Sequence, residues 1–301
     1  MKRILLLASI IALPYITNAQ YKWDFGVKLG GANYLGDIGG GAGTRRNFVP
    51  DMKLGESSIA SGAFARLKLH PKFSVQMGID YGHIQGNDAL STNPARHDRN
   101  LNFKNNIFEA NAIAQFFFYE INDLGHTYRY RNDFRAYIGL GVAAFHHNPK
   151  TLDGGVALQP LETEGVSYSL YDMAIPAQIG CYFTVNKRYR IGWDLTWRTT
   201  FTDYLDDVSG RYANPAVIGP AAAALADRTN SLNISQAEKN NYGWFEGKGN
   251  KRGDPTHNDS YIFSTINVSY AIRGKSTFYR SNYGSIFKGK KYKKRKFRAK
   301  F

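Results

Sequence analysis

Asp203, Asp206 and Asp207 fall within five residues, close enough for their carboxylates to offer oxygens to calcium. The ligand spacing of an EF-hand is absent, so the pattern assigns no metal. His146 and His147 are adjacent at the end of an alternating segment. Neighbours on a strand point to opposite faces, which makes them a poor chelating pair. Gly36-Asp-Ile-Gly-Gly-Gly-Ala-Gly43 has the glycine content of a phosphate-binding loop. It lacks the lysine of GxxxxGK[ST] and the helix that should follow, and reads as a flexible surface loop. Hydrolysis by a Ser–His pair would need the two side chains to meet at one rim. His83, His97, His126, His146, His147 and His257 are available, yet no motif singles out a partner. No catalytic residue and no cofactor is therefore expected, and the chain does not read as an enzyme.

The remaining candidate chemistry is electrostatic. Lys288, Lys290, Lys291, Lys293, Lys294, Arg295, Lys296, Arg298 and Lys300 crowd the last stretch of the chain. The formal net charge is +15, and removing Lys2 and Arg3 with an export signal leaves +13. Arg273–Phe301 holds twelve Lys or Arg and no Asp or Glu, so the rest of the mature chain is close to +1. Such a run reads as an interaction arm, with a solvated tail that has no fixed partner as the alternative. An acidic protein surface and anionic lipid headgroups both fit. Nucleic acid would be the choice in cytosol, but the N-terminus argues against that compartment.

Met1-Lys2-Arg3 is a short basic region before the apolar stretch Ile4–Ile16, and Thr17-Asn18-Ala19 offers small residues for cleavage. This is the form of a signal peptide over residues 1–19. No cysteine follows it to anchor a lipid, and Cys181, the single cysteine, cannot form an intrachain disulfide. No later segment approaches the roughly 18 apolar residues of a membrane-spanning helix.

The body of the chain alternates instead. Phe73, Val75, Met77, Ile79 and Tyr81 interleave with Ser74, Gln76, Gly78 and Asp80. Tyr189, Ile191, Trp193, Leu195 and Trp197 interleave with Arg190, Gly192, Asp194, Thr196 and Arg198. A period of two is a strand with unlike faces. Strands are expected at Lys22–Gly30, Gly62–His70, Phe73–Tyr81, Ile107–Phe118, Phe134–His146, Met173–Phe183, Tyr189–Phe201 and Tyr261–Ile272. Phe116-Phe117-Phe118 puts an aromatic on each face, and Pro176 interrupts the sixth segment. Within the last long connection, Pro220–Leu225 suits a short helix and Ser235 to Glu238 has capping-box spacing.

Connections alternate between short (Pro71-Lys72; 184–188), one medium (119–133), and long (31–61, 82–106, 147–172, 202–260). Aromatics are 14% of residues while mean hydropathy is −0.41. Together these predict an all-β fold over 20–272: an eight-stranded antiparallel transmembrane β-barrel with long extracellular loops, aromatic girdles and short periplasmic turns. A basic periplasmic tail would occupy 273–301. Asp24, Lys28, Arg66, Lys68, Asp80, Glu109, Arg190, Asp194 and Arg198 fall on the inward face, where mixed signs predict paired charges. Eight strands enclose little more than their own side chains, which excludes a protein-conducting pore.

Three segments resemble a known family. Gly31-Ala-Asn-Tyr-Leu-Gly-Asp-Ile38, Arg99-Asn-Leu-Asn-Phe103 and Phe201-Thr-Asp-Tyr-Leu-Asp-Asp-Val-Ser209 are similar to segments of the PorG family. Its members are outer-membrane proteins of the type IX secretion system in Bacteroidetes. The resemblance implies an accessory component associated with the periplasmic ring of PorK and PorN, in contact with outer-membrane lipid and not with nucleic acid. It implies no catalytic residues. A lipid-modifying barrel enzyme and a structural or adhesive surface protein are the competing expectations.

Overall fold

A computed structural model describes residues 21–39, 52, 54–122, 124, 132–186 and 188–273. The expected signal peptide (1–19) and the basic arm beyond Arg273, with all nine cations of its last stretch, lie outside the described residues.

Eight strands form the wall: β1 (Tyr21–Leu35), β2 (Ser58–His70), β3 (Phe73–Asn87), β4 (Asn102–Ile121), β5 (Asp133–His146), β6 (Tyr171–Val185), β7 (Tyr189–Thr200) and β8 (Ser260–Arg273). Each pairs antiparallel with its sequence neighbours, and β1 pairs with β8 from Tyr21–Arg273 to Leu35–Ser260. The sheet therefore closes on itself without an edge, as expected of a transmembrane barrel. All eight expected segments are present. Several run further than expected at one rim, β1 to Leu35 and β3 to Asn87, with β4 starting at Asn102. The other rim carries the connections 71–72, 122–132 and 186–188 together with both described chain ends.

The two faces differ as the alternation requires. Val27, Ile79, Leu140 and Ile266 point outward and are 61–67% exposed on an apolar belt, whereas Arg66 and Arg198 are 1% exposed inside. A soluble sandwich would reverse this order.

Both local irregularities have a structural solution. The ladder between β4 and β5 shifts register between Phe117 and Tyr119. Phe117 packs inward on Tyr137 and Tyr182, leaving Phe118 on the outer face. At Pro176 the β5–β6 ladder passes from Leu140–Ala177 to Ala143–Ala174, while Pro176 still sits opposite Arg198 on β7. Proline lacks one donor, and one side of the strand gives up its pairing there.

Candidate functional site

The lumen is built in layers. Nearest the short-turn rim, Arg66 reaches Asp24 at 3.4 Å and Gln76 at 3.0 Å, and Arg190 also pairs with Asp24. The Arg66 guanidinium lies over the rings of Tyr137 and Tyr182 at 5.4 and 5.0 Å. Gln115 bridges Gln76 and Gln178 at 3.0 and 2.8 Å. Asp194 accepts from Tyr137 and from Asn267.

Further up, Lys28 meets Asp80 at 2.8 Å, and Arg198 bridges Glu109 at 2.6 Å and Asp80 at 3.2 Å. Asn111 and Tyr261 complete the carboxylates' hydrogen bonds. The expected interior charge network is thus present. Of the nine inward candidates, Lys68 and Arg190 are half-buried and the other seven are buried. Opposite charges satisfy one another in a space too narrow for bulk water.

Above this layer the lumen turns apolar. Ala32, Ile84, Phe103, Ile107, Phe145 and Phe263 from the wall surround Leu205 and Val208 from the fourth long loop. That loop dips into the mouth through the segment 201–209, the same segment that carries the third family motif. Asp207 adopts φ 69°, the left-handed region that aspartate tolerates, and its side chain takes partners different from those of Asp206. Asp206 accepts from Tyr34, Ile38 N–H and Val208 N–H. Asp207 instead accepts from Thr163 at 2.5 Å and Tyr168 at 2.6 Å, with Arg252 at 3.6 Å. The adjacent carboxylates of Asp206 and Asp207 are therefore spent on different partners. Among the described residues, no group of three or more His, Cys, Asp or Glu is placed to hold a metal.

All three family motifs converge on this cap. Arg99 donates to Asp88 through Nε at 2.8 Å and Nη2 at 3.0 Å, and to the backbone carbonyls of Asp37 and Arg252. Arg252 in turn holds Glu164 at 3.0 Å, and Glu164 accepts the N–H groups of Ser209 and Gly210. One buried guanidinium from each of two loops thus ties four loops together. Burial pushes the Asp207 carboxyl above its usual range, against the opposing pull of Arg252 and its hydroxyl donors.

The glycine-rich run corrects an expectation. Gly36–Gly39 are buried parts of the cap, and 40–43 lie outside the described residues. A Cβ on Gly36 would collide with Tyr34 Oη and the Asp259 carboxylate, so close backbone approach, and not flexibility, explains this glycine. His146 and His147 do separate: His146 packs on Tyr171, while His147 stacks on Tyr168 and bonds the Ser169 carbonyl at 3.1 Å. Burial holds the His147 imidazole down to about 4. His83 bonds Asn106, and His257 bonds Asp254 and Thr256. His126 lies outside the described residues. The helix Pro220–Ala226 and the Ser235–Glu238 capping box both form as expected. Tyr34 and Arg99 were marked by their motifs, but Glu164, Arg252 and Asp259 carried no local signal.

A family model described as "Domain of unknown function (DUF6089)" matches residues 2–218. A sequence search of curated proteins finds no match. Among solved structures, Neisserial surface protein A (NspA) is similar at 8% identity over 83% of this chain and 97% of that one, with a TM-score of 0.40. OprG from Pseudomonas aeruginosa is similar at 11% identity over 85% of this chain and 99% of that one, with a TM-score of 0.36. The N-terminal β-barrel domain of OprF, also from Pseudomonas aeruginosa, gives 8%, 84%, 100% and 0.33 in the same measures. At such identities the likeness concerns the fold alone.

Proposed function

This chain belongs to the DUF6089 family, a domain of unknown function, and from that premise we propose that it is an accessory outer-membrane component of the type IX secretion machinery. In this reading it anchors or organises the periplasmic PorK and PorN ring and is not the translocation pore. The observation that carries it is the filled lumen: side chains and the capping segment occupy the bore, so the barrel offers cargo no path. What it can offer a secretion machine is a fixed point in the membrane and a charged arm below it. The short-turn rim bears both described chain ends, so the arm beyond Arg273 starts on that side. The resemblance of the three motifs to the PorG family supplies the identity of the ring.

Deleting Lys288–Phe301 should sharply reduce recovery of PorK and PorN with the solubilised barrel. Raising salt should reduce it for the full chain too, since screening shortens to about 3 Å at 1 M. Full recovery by the truncated chain at every salt concentration would refute the arm's role.

The membrane reading has its own test. Ile79 is 67% exposed at the middle of β3. Ile79→Arg should destabilise the barrel by about 2–4 kcal/mol in bilayers, the cost of a cation at the midplane of a lipid-facing wall. Denaturant titration in vesicles measures this, and an unchanged midpoint would mean that this face does not meet lipid.

A further inference from the structure

Where the second and fourth long loops meet on the outer side of the cap, they leave a recess of about 370 Å3. That volume falls within the range of small-molecule pockets. The second loop contributes the short helix Pro94–Arg99 and its cap Asn93. The fourth contributes Tyr242 and Lys251, which flank the hairpin of Trp244–Phe245 and Lys248–Gly249. The base of this hairpin is held by Asn250 N–H on the Gly243 carbonyl at 3.0 Å and by the Arg211–Lys251 bridge.

The groups around the recess are held in place and keep capacity for a ligand. Arg96 donates through Nη1 to the Gly39 carbonyl at 2.6 Å and pairs with no carboxylate among the described residues. A guanidinium carries five N–H donors, so others remain. Asn93 spends its Oδ1 on the Ala95 N–H at 3.0 Å and keeps its Nδ2 amide. Tyr242 donates its hydroxyl to the Ala95 carbonyl at 3.0 Å, which sets its ring as a fixed side of the recess. Lys251 stands 3.6 Å from Asp254, with its side chain 69% exposed. Three donor groups and one aromatic ring from two loops thus surround one space.

The charge of the lining decides which class of molecule suits it. Arg99 and Arg252 also line the recess, but Asp88 holds the first, and Glu164 with Asp207 holds the second. The remaining cations are Arg96 and Lys251, and the anions are Asp37 and Asp254. Asp254 accepts from Thr256 and faces His257, while Asp37 accepts the Asp254 N–H at 2.6 Å. Equal numbers of each sign give an ion no net attraction. A hydroxyl is both donor and acceptor, and so meets guanidinium, ammonium, amide and carboxylate alike. The C–H groups of a sugar ring suit an aromatic face, which is the negative side of the ring quadrupole.

We infer that this recess binds a neutral saccharide, with one sugar ring seated against Tyr242 and its hydroxyls on Arg96, Asn93 and Lys251. The site opens to the outer side, at the opposite rim from both described chain ends, so this binding is additional to the secretion role and independent of the basic arm. A bound sugar would also join 93–96 to 242–251 and tie the two loops together.

Saturation-transfer NMR on the full chain in lipid nanodiscs tests this, with D-glucose, D-galactose, D-mannose and N-acetyl-D-glucosamine as probes. At least one should receive saturation, and titration then gives its dissociation constant. Lys251→Gln, a change on an exposed side chain, should weaken binding about tenfold, the loss of one hydrogen bond from a charged group. Tyr242→Leu, which removes the aromatic face, should weaken it about three- to tenfold. Both variants should migrate on unheated gels as the parent does, which shows the wall intact. Silence from all four probes, or parental affinity in either variant, would overturn the inference. Glucuronate binding more tightly than every neutral probe would overturn it too, because the recess would then select an anion.

Discussion

Replacing Arg198 with alanine should cost the barrel about 3–5 kcal/mol, the expected loss when one partner of a buried ion pair is removed. Arg198 is 1% exposed and serves two carboxylates, Glu109 at 2.6 Å and Asp80 at 3.2 Å, while Nη1 donates to the Thr196 carbonyl at 3.1 Å. Its guanidinium also lies 4.0 Å from the Phe263 ring centroid, a cation–π contact in a desolvated place. Without it, Asp80 keeps Lys28 and Asn111, but Glu109 retains only neutral donors, Tyr261 and Asn111, among these partners. Urea unfolding in micelles should show the loss. Adding Glu109→Gln to the alanine variant should recover part of it, because the stranded charge is then gone. A single variant within about 1 kcal/mol of the parent would mean that the charge layer does not hold the barrel.

Arg99→Ala should have a comparable effect confined to the cap. Arg99 is buried and supplies four bonds to three segments: two to Asp88 and one each to the carbonyls of Asp37 and Arg252. Asp88 in turn receives the N–H groups of Gly39 and Leu101. Losing the guanidinium leaves Asp88 buried without its cation, again a penalty of about 3–5 kcal/mol. Because the barrel ladder does not pass through these residues, the wall should stay folded. Limited proteolysis should open sites within 201–259, while migration on unheated gels stays that of a closed barrel. Arg99→Lys should not restore protection, since an ammonium cannot reproduce the bidentate fork together with two carbonyl contacts. If proteolysis is unchanged, the loops are held by something other than this arginine.

The wall and its polarity could be read from the chain because each depends on neighbours two residues apart. Phe73, Val75, Met77 and Ile79 declare one face whatever lies across the sheet, and Asp194 with Arg198 declares the other. The capping box at Ser235–Glu238 was legible for the same reason, since both its hydrogen bonds close within four residues. The cap was not legible in this way. Gly36 resembled a loose glycine loop because the groups that crowd it, Tyr34 and Asp259, include one lying 223 positions later in sequence. The three aspartates of 201–209 showed only that carboxylates lie close together, because spacing reports proximity along the chain and says nothing of direction. Asp207 turns through φ 69° to other loops, so Asp206 and Asp207 serve as two separate anchors.

By itself the amino-acid sequence determined a closed wall of eight alternating strands, with charges inside and an apolar belt outside, and short turns at one rim. Period-two patterning is a local property that survives any choice of partner strand. Only the tertiary structure decided that the bore is stoppered by residues 201–209, and that motifs from three separate loops assemble into one buried network. That outcome depends on which distant groups meet in a low-dielectric mouth, where every buried carboxylate must find a cation, a donor or a proton.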